Sequence, residues 1–229
     1  MQYNKPLVSG LVLATIMAMI GCGQNTSQNQ PAASINGEND ASAKAKGQKS
    51  AQSDFDLIHP KVIIETSLGK IVVELDKEKS PLTVNNFLDY VKTHSYDKTI
   101  FHQVYKNQAI IAGGYTTDLA EIPQRIPVSN EAHNGLKNLR STIAMLRRQP
   151  DVIDSATSQF FINTANNPKL DFRSRDPADP EGYGYCVFGQ VVEGMEVADR
   201  IANTPVEDTD KFDQTPVQAV IIKSISRVK

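Results

Sequence analysis

The chain has 229 residues, of which 24 are Lys or Arg and 26 Asp or Glu, giving a formal charge of −2 and an isoelectric point near 6.1. So even a balance makes no electrostatic case for a nucleic-acid partner and fits a solvated, mixed-charge surface. Two cysteines, Cys22 and Cys186, sit in unlike surroundings and are not expected to pair.

The chain opens with Lys5 and an apolar run from Leu7 to Gly21. That run is short for a membrane span, which needs about 20 residues, and it reads as a secretory signal. It ends Met19-Ile20-Gly21-Cys22, which resembles the bacterial lipoprotein box. The resemblance implies a lipoprotein signal over 1–22 that is cut just before Cys22, leaving a lipidated Cys22 as the first mature residue, with several acyl chains giving a stable anchor. Gly23 is not the Asp that resembles an inner-membrane retention signal. The expected location is therefore the bacterial envelope, with the outer membrane facing the periplasm preferred over the inner membrane. Residues 23–55 are rich in Gln, Asn, Ser, Ala, Lys and Gly. Such a stretch buries too little surface to offset its ordering entropy and reads as a flexible tether.

One domain is expected over 56–229, large enough for its own core. Lys61–Thr66 and Lys70–Asp76 alternate around Ser67-Leu68-Gly69, predicting a hairpin. Ser80 and Pro81 look like the N-cap and first position of a helix. Val84, Phe87, Leu88 and Val91 recur at helical spacing and carry that helix to about Thr93. Strands are predicted near Thr99–Tyr105, Ala109–Ala112, Thr142–Arg147, Gln159–Asn163 and Tyr185–Val191. A helix follows over Met195–Ala202, then a last strand over Val217–Ile225. Cys186, in the apolar run Tyr185–Phe188, reads as a buried inert thiol. Many short strands with two isolated helices suggest a mainly β fold, either barrel or sandwich.

The most informative stretch is Asp154-Ser-Ala-Thr-Ser-Gln-Phe-Phe-Ile-Asn163. In a strand, Gln159, Phe161 and Asn163 share one face while Phe160 and Ile162 share the other. An amide beside an aromatic suits binding a peptide; the other face suits a core. Around it stand Phe101-His-Gln-Val104, Gly113-Gly114, Asn130-Glu-Ala-His-Asn134, Ser141–Leu146 and Val187-Phe-Gly-Gln-Val191. Their order and spacing, from about Lys61 to Lys229, resemble the cyclophilin-type peptidyl-prolyl isomerases, in particular the bacterial periplasmic branch. That resemblance implies a closed eight-stranded antiparallel barrel capped by two α-helices. It also implies an isomerase acting on proline-containing peptides or exported proteins, as a monomer.

Peptide-bond rotation faces a barrier of about 18–20 kcal/mol, and for X-Pro bonds the two isomers are close in energy. Lowering that barrier needs no nucleophile, metal or cofactor. A dry pocket for the ring suffices, with contacts to the flanking backbone and a donor aimed at the prolyl nitrogen, which regains its lone pair as the bond twists. In the family an Arg supplies that donor. Here Gln103 holds its place, beside His102. Gln103 is either the remaining donor or an ordinary strand residue, and His102 either a site residue or one that orders the strand. Gln159, Phe161, Leu170 and Tyr185 match the family's substrate-binding positions; Ile110 can stand for its pocket Met, and Met145 fits the preceding strand. Ala112 replaces a backbone-binding Gln, Ala109 or Ile110 replaces the pocket Phe, and Lys169 falls where Trp or Phe is usual.

The histidines His59, His94, His102 and His133 show no ligand-like spacing, and no Gly-x-Ser-x-Gly elbow occurs. No metal, no cofactor and no hydrolase chemistry are expected. The loop 171–182, with Pro177, Pro180 and Gly182, lies near the proposed site, and its Arg173 and Arg175 read as solvated. The leading expectation is a lipid-anchored folding helper whose isomerase activity is weakened at Gln103. The alternatives are a non-catalytic proline-peptide binder and a scaffold lipoprotein.

Overall fold

A computed structural model describes residues 56–228. The expected signal segment 1–22, Cys22 and the whole tether over 23–55 lie outside the described residues. A helical turn covers 56–58. There follow β1 (Lys61–Thr66), β2 (Gly69–Leu75), α1 (Pro81–Lys92), β3 (Thr99–Tyr105), β4 (Ala109–Thr116), β5 (Thr142–Arg147) and β6 (Ala156–Asn163). After these come β7 (Val187–Glu193), α2 (Met195–Ala202), the two-residue strands β8 (Val206–Glu207) and β9 (Thr215–Pro216), and β10 (Ile222–Arg227). Short 3-10 turns lie at Ala132–Asn134, Pro168–Leu170 and Pro180–Tyr183.

Eight strands form one antiparallel sheet in the order β10-β1-β2-β7-β5-β6-β4-β3. The sheet curls until its ends nearly meet. Along the far edge of β3 the amides of Lys98, Phe101 and Val104 donate to the carbonyls of Ile222, Val220 and Gln214, at 2.9 Å each. A nearly closed barrel removes the exposed edges an open sheet would leave.

Strand alternation fills the interior. Val62, Ile64, Ile71, Val73, Leu75, Phe101, Ile143, Phe160, Ile162 and Phe188 meet in one buried cluster. Helix α1 adds Val84, Phe87 and Tyr90, and α2 adds Val197, Ala198 and Ile201. Phe87 lies 5.2–5.6 Å, centroid to centroid, from Tyr96, Phe160 and Phe188, spacings at which aromatic pairs attract beyond their burial.

Two local expectations need correction, and one short ladder was not expected. Ser80 stands at the N-cap of α1 but makes no capping bond; its hydroxyl donates to the Val187 carbonyl at 3.0 Å. The cap is the Glu131 carboxylate, which accepts from the amides of Leu82 at 3.1 Å and Thr83 at 2.8 Å. A carboxylate at a helix N-terminus both satisfies orphan donors and meets the positive end of the dipole. The last strand begins at Ile222 rather than Val217, because residues 214–221 run along β3 to seal the barrel. The β8–β9 ladder had no clear period in the sequence.

Candidate active site

A second apolar cluster lies on the outer face of the barrel, made of Ala109, Ile111, Ala144, Phe161, Leu170 and Val187, with Tyr105, Leu136, Leu146 and Tyr185 packed around it. Register explains its membership. Ile111 pairs with Phe161 across β4–β6 and Ala144 pairs with Phe161 across β5–β6, and directly opposed residues project to the same side. By the same register Ile110 pairs with Ile162, and Met145 with Phe160. Both therefore point into the barrel core, and the structure does not bring Ile110 or Met145 to the outer cluster. Ala112 also points inward. Ile111 and Leu146 take the outward places beside Phe161.

The floor is nearly closed: Phe161 is 2% exposed and Leu170 6%. Tyr185 forms one wall, its ring edge-on to Phe161 at 5.6 Å. The segment leading into β7 is held by three asparagines spaced four apart. Asn130 donates to the carbonyls of Tyr183 and Gly184, both at 3.2 Å. Asn134 donates to Val187 at 2.9 Å, and Asn138 to Leu170 at 3.0 Å and Tyr185 at 3.4 Å.

The other wall comes from β3, and a bulge shapes it. Phe101 pairs with Ala112 and Gln103 with Ile111, so β3 advances two residues while β4 advances one. The extra residue lets both Phe101 and Val104 face the core and leaves His102 and Gln103 together on the outer side. His102 is fully buried under Tyr115 and Phe212, with centroids 4.9 and 5.0 Å away. Desolvation holds its pKa down at about 3, against weaker opposing pulls from Ile100 and Gln159. Neither of these closes a well-formed hydrogen bond to the ring, so burial favours the neutral imidazole. Gln159 lies across Gly114, where an added Cβ would stand 2.6 Å from its Cγ; the glycine makes room for that amide.

Gln103 is 7% exposed. Its Nε2 donates to the Tyr105 hydroxyl at 2.8 Å and to the Asp213 carbonyl at 3.3 Å. A side-chain amide has two N–H groups, and both are committed inside the protein.

Sequence reasoning missed Tyr105, Ile111, Leu146 and Arg147. The first three follow from pairing parity with Phe161, which a one-residue insertion hid. Arg147 is buried, with its guanidinium over Tyr183 at 5.4 Å and over Tyr185 at 4.9 Å. Its terminal nitrogens donate to the carbonyls of Pro150 and Pro180, tying the 148–155 loop to the insertion behind Tyr185. Arg173 and Arg175 are also engaged, Arg173 with Asp179 at 3.2 Å and Arg175 with the Asn130 carbonyl at 3.3 Å. Among the described residues no group of three or more His, Cys, Asp or Glu is placed to hold a metal ion.

The arrangement offers an apolar floor, two phenols and a spent amide, which is a place for a ring rather than for a nucleophile. Comparison with known proteins agrees with this. Residues 61–227 match the family described as cyclophilin type peptidyl-prolyl cis-trans isomerase/CLD. The chain is 44% identical over 168 residues to peptidyl-prolyl cis-trans isomerase A of Dickeya dadantii (strain 3937), covering 73% of this chain and 84% of that one. To isomerase B of Escherichia coli (strain K12) it is 41% identical over 165 residues, covering 72% and 98%. A solved cyclophilin type isomerase of Cryptosporidium parvum shares the fold with a TM-score of 0.60 at 24% identity, over 75% of this chain and 98% of that one. The chain thus belongs to the cyclophilin-type peptidyl-prolyl cis-trans isomerases.

Proposed function

We propose that the protein is a prolyl isomerase of weakened turnover, anchored by lipid on Cys22 in the bacterial envelope, where it acts as a monomer on proline-containing segments of exported proteins. The observation that carries the weakened turnover is the pair of bonds from Gln103 to Tyr105 and Asp213. A charged donor is worth about 1.5–3 kcal/mol and a neutral one about 0.5–1.5. Exchanging one for the other costs on the order of 1–2 kcal/mol of barrier lowering, roughly 5- to 30-fold in rate, and an amide with no free N–H gives up more.

The test is a protease-coupled isomerisation assay on an Ala-Pro tetrapeptide with the purified protein. Turnover well below that of an arginine-bearing cyclophilin is expected, and equal turnover overturns the reading. Anchoring is tested by radiolabelled palmitate in cells: the label is expected on the parent and lost in Cys22→Ser. A protein that takes up no label is not a lipoprotein. The nearly closed floor at Phe161 and Leu170 favours a second reading, peptide binding without turnover. Peptide shifts at Phe161 with no measurable exchange would select it.

A further inference from the structure

With both Gln103 hydrogens committed, a twisting imide still needs a donor, and the rim of the Phe161 cluster carries one. Tyr105 lies two residues past the bulge, its ring packed against that cluster and half-buried. Its oxygen receives Gln103 Nε2–H at 2.8 Å, and among the described residues nothing accepts its own O–H. His102 is sealed under Phe212. Arg147 keeps a buried Nε without a partner, but its guanidinium is stacked over Tyr183 and Tyr185 and its terminal nitrogens are held by Pro150 and Pro180.

We infer that Tyr105 is a catalytic residue: its hydroxyl, receiving a hydrogen bond from Gln103, donates to the imide of a proline seated on Phe161. The inference rests on the isomerase reading above. A phenol that accepts one hydrogen bond is polarised and donates a second more strongly, so Gln103 acts through Tyr105 instead of touching the substrate. No bond to hydrogen breaks, and the proton stays on the phenol throughout. Burial, with Asp213 and Asp208 nearby, raises the Tyr105 pKa above its usual value, which keeps the donor protonated at neutral pH.

The test is two-dimensional exchange NMR on an Ala-Pro tetrapeptide, which reads slow catalysis and binding together. The parent is compared with Tyr105→Phe, Gln103→Ala and Tyr185→Phe. Tyr105→Phe is expected to lower the exchange rate roughly 3- to 10-fold, the worth of one neutral hydrogen bond, with peptide affinity unchanged. Gln103→Ala is expected to lose less, and Tyr185→Phe less again. If Gln103 itself were the donor, the order would reverse, since Tyr105→Phe frees an amide hydrogen and would raise the rate. That outcome, or an unchanged rate in Tyr105→Phe, overturns the assignment while leaving the isomerase reading intact. A parent with no exchange overturns both.

Discussion

Phe161 and Tyr185 meet edge to face with ring centroids 5.6 Å apart, although strand β5 lies between β6, which carries Phe161, and β7, which Tyr185 precedes. The contact exists because Tyr185 sits just ahead of β7, where side-chain bonds from Asn130, Asn134 and Asn138 replace a regular ladder. One wall of the site is thus fixed by asparagines that touch no ligand.

Asn138 is the most exposed test of that dependence. It is buried, and its side chain bridges the carbonyls of Leu170 and Tyr185 while accepting from Asn163. Asn138→Ala leaves those groups unpaired and is expected to cost about 1–3 kcal/mol. Urea unfolding reads the loss, and a peptide titration should show weaker binding. An unchanged midpoint would mean that water restores every bond.

Gln103→Arg is expected to raise kcat/KM roughly 5- to 30-fold, the gap between a neutral and a charged donor. The longer side chain must displace the bonds to Tyr105 and Asp213. A rate no higher than the parent's would show that Asp213 captures the cation.

His102 makes stability depend on pH. Its pKa falls to about 3 in the fold through burial, against about 6.5 in an unfolded chain. Between those values the unfolded state binds the extra proton, so stability is complete above about pH 6.5 and declines toward pH 3, by at most about 1.4 kcal/mol per pH unit. Urea melts at pH 7.5 and 4.5 should therefore show a larger loss in the parent than in His102→Gln, by on the order of 2 kcal/mol. Equal losses would place the histidine in contact with water.

Cys186 is buried beside Ser80 and Thr83, and desolvation raises its thiol to about 11. Since the thiolate is the reactive form, it is expected to ignore Ellman's reagent in the native protein and to react on unfolding. Fast native labelling, in a variant lacking Cys22, would refute its burial.

Much of this molecule was legible in advance because period and punctuation agree. The hairpin around Gly69 and the α1 face Val84–Phe87–Val91 fall where alternation and helical spacing put them, and Phe160 and Ile162 turn inward as expected. What stayed hidden depended on pairing partners. Ile110 and Ile111 are equivalent in composition, and only the register with β6 decides which one meets Phe161. The β3 bulge, which turns two successive side chains outward, has no residue signature. Glu131 caps a helix 48 residues away, a relation no local window contains.

The first strand finds one neighbour within its own hairpin and the other, β10, at the opposite end of the chain. Strand β3 likewise takes its seam bonds from residues 214–222. Both edges therefore wait for the last residues to be synthesised. A ribosome still holding the C-terminus carries an open, unsealed sheet, and a chain cut one strand short, at β10, leaves β1 with an adhesive margin that the complete protein covers.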